Sequence, residues 1–143
     1  RTDARRLISM SGRYLLDTNI IIDLFNGDDV VTKKIITAAE VFVPNIVIGE
    51  LYYGSYGSKK IKSNLKKLEE FIVSSTVINT NIETARIYGH IKNELKKKGT
   101  PIPENDIWIA ALAKQYSLKL LTRDRHFESI EEIDTEILRS IKS

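Results

Sequence analysis

Short apolar runs alternate with helix-like segments along the chain, and this alternation constrains the fold more than any other feature. RYLL (13–16), VFVP (41–44), TVI (76–78) and LKLLT (118–122) are leucine-rich or β-branched runs of strand length, and Pro44 ends the second. Between them lie segments with helical spacing. NIIIDLF is a short helix that Asn19 can cap, and VVTKKIITAAE is a second helix. NIVIGELYYGSYG is read as a helix broken by Gly54 and Gly57. KKIKSNLKKLEEFI carries Ile61, Leu65, Leu68 and Ile72 on one face. Thr80 and Glu83 form a T-x-x-E capping box opening a long helix with Ile82, Ala85, Tyr88, Ile91 and Leu95 on its inner face, and Gly99 stops it. ENDIWIAALAKQYS is apolar nearly all round, as a buried helix is. RDRHFESI makes a turn, and the stretch from Glu136 to Ile141 adds an edge strand. Strand and helix in alternation predict an α/β fold: three α/β/α layers around a central parallel sheet of about five strands.

The chain has 143 residues, enough for one domain with a full core. Met10 reads as a natural start. The domain is therefore read as 10–143, and RTDARRLIS (1–9) as an appended remnant or a frayed arm lacking the apolar core of a secretory signal. No apolar run approaches the roughly 18 residues of a membrane span, so no membrane partner is expected. With no cysteine, a disulfide framework, a thiolate metal site and a cysteine nucleophile are all excluded, and a reducing cytoplasm suits the chain. The net charge of +3 permits a nucleic-acid partner without requiring one.

In parallel sheets ligands bind beyond the carboxyl ends of the strands. Asp17 directly follows RYLL and Asp124 follows LKLLT with one residue between, so both belong to one rim. Glu50 sits within NIVIGELYYG, and Asp106 opens the most apolar helix. Singly, each has an ordinary reading: a turn or cap for Asp17, a dipole-favoured first-turn acid for Asp106, an Asx turn for Asp124, a buried ion pair for Glu50. Together they repel unless a cation neutralises them. Oxygen ligands without cysteine or a His pair suit Mg²⁺ or Mn²⁺ rather than zinc.

Four segments, LLDTNIIIDL, VPNIVIGELYYGS, PIPENDIWIAALA and LLTRDRHFESI, occur in the order and spacing of the PIN-domain ribonucleases, and the chain from about Met10 onward resembles the VapC toxins among them. The resemblance implies a PIN-like fold and metal-dependent endonucleolytic cleavage of RNA by one or two Mg²⁺ (or Mn²⁺) ions, leaving 5′-phosphate and 3′-hydroxyl ends. It implies Asp17, Glu50, Asp106 and Asp124 as the catalytic, metal-binding acids. Asp17 and Asp106 would be direct ligands; Glu50 and Asp124 would act through water or orient the nucleophile. Thr18, Asn19 and Thr122 would position water or phosphate. The implied partners are an RNA substrate, a VapB-type antitoxin that covers the site, and a second copy in a homodimer.

Arg123 and Arg125 flank Asp124 and are placed for phosphate. The lysines at 59, 60, 62, 66 and 67 and at 96–98 read as solvated helix faces before they read as RNA-steering patches. His126 is read as packing beside Phe127, with acid–base chemistry second. Asp23 is read as solvent-facing, and Tyr52, Tyr53 and Tyr56 as a partner or subunit contact. The alternative function is a PIN fold that holds RNA or protein without cutting, which loss of one acid would favour; all four are present. Phosphoaspartate proteins also place an Asp after the first strand, but Asp-Thr-Asn lacks the D-x-D of the phosphatases, and the receivers' acidic pair and late lysine do not fit.

Overall fold

A computed structural model describes residues 12–139. The expectations for 1–9 and for residues 140–141 of the edge strand lie outside the described residues; the strand ends at Ile137, so Leu138 and Arg139 are not part of it. Five parallel strands form one sheet in the order β3-β2-β1-β4-β5: β1 (Arg13–Leu16), β2 (Glu40–Pro44), β3 (Val77–Ile78), β4 (Lys119–Thr122) and β5 (Thr135–Ile137). Six helices among the described residues flank it: α1 (Thr18–Phe25), α2 (Asp29–Thr37), α3 (Asn45–Tyr56), α4 (Ile61–Val73), α5 (Ile82–Lys98) and α6 (Glu104–Gln115). A 3₁₀ turn follows β4 at Arg125–Ser129.

The two central strands are apolar on both faces because helices cover both. Leu15, Leu16, Leu120 and Leu121 are fully buried, and the register pairs Leu15 with Leu120 and Leu16 with Leu121. Helix α6 supplies a large block of the core, with Ile107 and the run from Ile109 to Ala113 all buried. Its small residues allow α5 to pack closely, and Tyr88 stacks on Trp108 at 4.1 Å between the two helices. No helix among the described residues is long and apolar enough to cross a membrane.

Helix α5 departs from its expected opening. Its cap is Asn81, whose side chain accepts from the Thr84 N–H at 3.2 Å while Thr84 Oγ1 accepts from the Asn81 N–H at 3.0 Å. Asn81 and Thr84 replace Thr80 and Glu83 because Thr84 points inward, where its hydroxyl also meets Gln115 of α6. Glu83 is left on the surface, paired with Arg86. The inner face is accordingly Thr84, Ile87, Ile91 and Leu95; Ala85 is exposed and Ile82 lies 87% exposed on the opposite side. Gly99 ends the helix in the left-handed conformation at φ 71°, which a side chain would resist, and the Thr100 N–H closes onto the Leu95 carbonyl at 3.1 Å. In α3, Gly54 does not break the helix, which runs on to Tyr56 and stops at Gly57.

Candidate active site

The rim is built from the ends of β1 and β4. Pairing of these strands continues one residue past β1, where the Asp17 N–H donates to the Leu121 carbonyl at 3.0 Å. The chain then turns directly into α1, and Asp17 caps it: Oδ1 accepts from the Thr18 N–H at 2.8 Å. Oδ2 accepts from Thr122 Oγ1 at 2.6 Å and from Asn19 Nδ2 at 3.2 Å. Thr122 is fully buried and ends β4, so the hydroxyl that orients the first acid comes from the neighbouring strand. The same hydroxyl accepts from the Asp124 N–H at 3.0 Å.

Thr18 spans to the second acid. Its hydroxyl donates to Glu50 Oε1, and Glu50 Oε2 accepts from Asn105 Nδ2 at 3.1 Å. Helices α1, α3 and α6 thus meet through one carboxylate. Asp106 follows Asn105 in the first turn of α6, where the helix dipole favours a negative charge. Asp124 caps the 3₁₀ turn and accepts from the His126 N–H at 3.2 Å. That turn returns the His126 ring to the rim. Its Nε2 lies 2.6 Å from Asp106 Oδ2, and its Nδ1 lies 2.7 Å from Asp124 Oδ1.

The electrostatics are those of a site short of positive charge. Asp17 is only 5% exposed. Burial pushes its carboxyl up to about 6, against the hydrogen bonds from Thr122 and Thr18; the Asp106 and Glu50 charges push the same way as burial. Asp106 is also raised, first by burial and then by Asp124 and Glu50, with the His126 contact opposing. Among the described residues no lysine or arginine forms an ion pair with any of the four acids. Asp106, Asp124 and His126 each offer a donor atom, all within 4.8 Å of one another. One buried and three half-buried carboxylates, mutually repelling and with no lysine or arginine among them, are a donor set that fits a hard divalent cation.

Thr18, Asn19 and Thr122 all join the rim, each bonded to one of its acids. The arginines do not turn toward it. The Arg123 guanidinium lies 3.1 Å from Asp23 and 3.2 Å from Asp28, so Asp23 is an ion-pair partner rather than a solvent-facing acid. The Arg123 backbone N–H instead fixes Asn19, donating to its Oδ1 at 3.2 Å. Arg125 is exposed and lies 3.4 Å from Glu128. His126 and Asn105 are the site residues that spacing alone undervalued. An Asp two residues before a His permits a side-chain-to-backbone turn that brings the ring back beside the acid, and that was the available signal.

A cavity of about 300 Å³ opens from Glu50 between α1, α3 and α4, with Ile22, Phe25, Gly54, Asn64 and Lys67 on its walls. Along α3, Tyr52 stacks on Tyr56 at 6.1 Å, and Tyr53 is 83% exposed.

Comparison with known proteins places these features in a family. The PIN domain profile matches residues 14–133. Ribonuclease VapC2 of Haemophilus influenzae is 35% identical over 127 residues, covering 87% of this chain and 96% of the relative. The tRNA(fMet)-specific endonuclease VapC of Salmonella typhimurium is 31% identical over the same length, again covering 87% and 96%. Among solved structures, VapBC2 of Rickettsia felis bound to a DNA fragment from its promoter superposes with a TM-score of 0.82 at 29% identity, covering 89% of this chain and 99% of that one.

Proposed function

The chain belongs to the PIN-domain family, among the VapC ribonucleases, and from that premise we propose how its acid rim works. It is an endoribonuclease that hydrolyses RNA phosphodiester bonds as the toxin of a VapBC-type pair. The observation that carries the catalytic reading is Asp17: a buried carboxylate, held by three donors, with its acidity displaced first by burial and then by two neighbouring acids, and no lysine or arginine against it.

Asp17 and Asp106 are the direct ligands in this reading, with Glu50 and Asp124 reaching the ion through water or orienting the nucleophile. One or two Mg²⁺ (or Mn²⁺) ions held there would supply an activated water and neutralise charge building on the phosphate. Thr122 and Asn19 keep Asp17 pointing into the rim. Thr18 and Asn105 fix the two oxygens of Glu50, so the carboxylate is pre-oriented before RNA arrives. Arg125 is free to swing from Glu128 to a phosphate, whereas Arg123 serves by anchoring the α1–α2 turn and Asn19. Cleavage leaves 5′-phosphate and 3′-hydroxyl ends.

The cognate antitoxin is proposed to lie over the rim and into the cavity beside Glu50, where an arginine among the acids would compete with the metal. The exposed Tyr53 and Tyr56 rings are proposed as a contact with that partner or with the second copy of a homodimer. Such a pair would work in the cytoplasm, where its RNA is.

The test is cleavage of total cellular RNA, with purified transfer RNA as a separate arm, by antitoxin-free protein in Mg²⁺, Mn²⁺ or EDTA. Cutting that needs the metal and falls at least about 10³-fold in Asp17→Asn is the expected result. Cutting that survives both EDTA and the substitution would overturn the metal mechanism. A folded, antitoxin-free protein that binds RNA and leaves it intact would favour the non-catalytic binding module.

A further inference from the structure

His126 is held as metal-ligating histidines are held. Asp124 Oδ1 receives both the His126 backbone N–H, at 3.2 Å, and ring Nδ1, at 2.7 Å. Behind the ring, Phe127 is fully buried, with the two ring centres 5.3 Å apart. The imidazole is therefore clamped by its own turn and by the core. A proton on Nδ1 satisfies Asp124 and leaves the Nε2 lone pair facing Asp106 Oδ2 at 2.6 Å. Two lone pairs that close repel unless a proton or a cation is shared between the groups. A carboxylate on one ring nitrogen and a cation on the other is the arrangement by which proteins fix the tautomer and raise the basicity of a ligating histidine.

From this geometry we infer that His126 Nε2 ligates the metal ion alongside Asp106, with Asp124 orienting the ring, and that this nitrogen makes the site prefer Mn²⁺ to Mg²⁺. The inference rests on the reading of the rim as a divalent-metal centre. Mg²⁺ is bound through oxygen and keeps several of its waters, so an imidazole adds little to its affinity. Mn²⁺ also takes oxygen ligands but stands higher than Mg²⁺ in its affinity for nitrogen. An all-carboxylate rim would separate the two ions much less.

The experiment is calorimetric titration of Mn²⁺, and separately of Mg²⁺, onto the antitoxin-free chain, its His126→Ala and His126→Gln variants, and Asp106→Asn. Electron spin-echo envelope modulation is recorded on the Mn²⁺ complex. The expected result is a Mn²⁺ affinity at least about ten-fold above that for Mg²⁺. Removing the imidazole should lower Mn²⁺ affinity about ten-fold and change Mg²⁺ affinity less than about two-fold. The wild-type Mn²⁺ spectrum should show nitrogen modulation that both variants lose. The spectrum of the wild type decides the point even if a variant fails to fold. Absence of nitrogen modulation, or Mn²⁺ binding unchanged or tightened in His126→Ala, overturns the inference; if Asp106→Asn still abolishes binding, the metal centre itself stands. A wild type that binds neither ion overturns both. Metal binding with nitrogen coordination but without RNA cleavage would overturn only the nuclease reading.

Discussion

Two acids close to β1 stand in opposite circumstances. Glu136 of β5 accepts from the Tyr14 hydroxyl at Oε1, 2.9 Å away, and Lys34 of α2 reaches its Oε2 at 2.7 Å. Burial alone would raise the Glu136 carboxyl, but Lys34 and Tyr14 outweigh it and hold it below the ordinary range; the Lys34 ammonium is raised in return by the same contact. Just past the end of β1, Asp17 is more deeply buried, has hydroxyl and amide donors, and is pushed up to about 6. One acid has been given its cation by the fold and the other has not. Balanced acids of the first kind hold strands together; an acid of the second kind is a cost that a ligand removes, which marks a functional site.

The largest effect should come from relieving that cost. The unfolded Asp17 has its ordinary value of 3.8 and the folded one about 6. The folded protein therefore binds the proton more tightly. Stability from the neutral form is fully present below 3.8 and is lost as pH rises through about 6. Above that the charged carboxylate costs up to about 3 kcal/mol. In metal-free protein at pH 7.5, Asp17→Asn should raise Tm by roughly 3–8 °C while abolishing cleavage. The gap should close near pH 4 and should also close when saturating metal stabilises the wild type. A variant no more stable than wild type at pH 7.5 would mean that Asp17 already has a partner, and the contrast with Glu136 would fall.

Glu136→Gln should move stability the other way. With its carboxyl held low, Glu136 contributes stability above its unfolded value of 4.5 that is lost as pH falls through its folded value. The Lys34 and Glu136 side chains are 29% and 28% exposed, so the loss is about 1–2 kcal/mol, short of the full penalty for breaking a buried pair. Chemical denaturation across pH 3–8, with and without Mg²⁺, would measure it. The substitution should leave metal affinity untouched. An effect on metal binding would show that Glu136 and the acid rim are coupled.

The strands, and with them Asp17 and Asp124, were legible because they depend on local pattern: where an apolar run ends, the next side chains reach the rim; Glu50 and Asp106 stood out instead as acids set in apolar helices. RYLL became β1 residue for residue, and the all-round apolar helix is α6. What pattern missed depended on partners distant in sequence. Thr80 and Asn81 are both acceptable caps, and the choice went to Asn81 because Thr84 meets Gln115, 31 residues on. Its place beside Asp124 aims Arg123 at phosphate, yet Asp23 and Asp28 hold its guanidinium. The edge strand appears as Thr135–Ile137 because its register is set by hydrogen bonds to β4, with the Leu138 N–H closing onto the Thr122 carbonyl at 2.8 Å. His126 was hidden by the turn that redirects it; a ring next to a buried Phe looks like core until its Nδ1 is found on a carboxylate.

The smallest effect tests what keeps Asp17 usable at all. Thr122 Oγ1 donates to Asp17 Oδ2, and that bond favours the charged carboxylate, so it opposes burial. Thr122→Val keeps the shape and removes the hydroxyl. The core around position 122 stays filled, and the Asp124 N–H loses its acceptor, so the stability cost should be about 1 kcal/mol. The Asp17 titration should move to higher pH. With it should move the acid limb of RNA cleavage at subsaturating Mg²⁺, because a proton on Asp17 competes with the ion. Thr122→Ser restores the donor and should restore the midpoint, which carbon-13 NMR of the carboxyl would read directly. If Thr122→Val leaves the midpoint near 6, the hydroxyl contributes orientation only. Asp17 would then be kept ionisable by Thr18 and the α1 N-terminus, and its difference from Glu136 would rest on the helix rather than on the neighbouring strand.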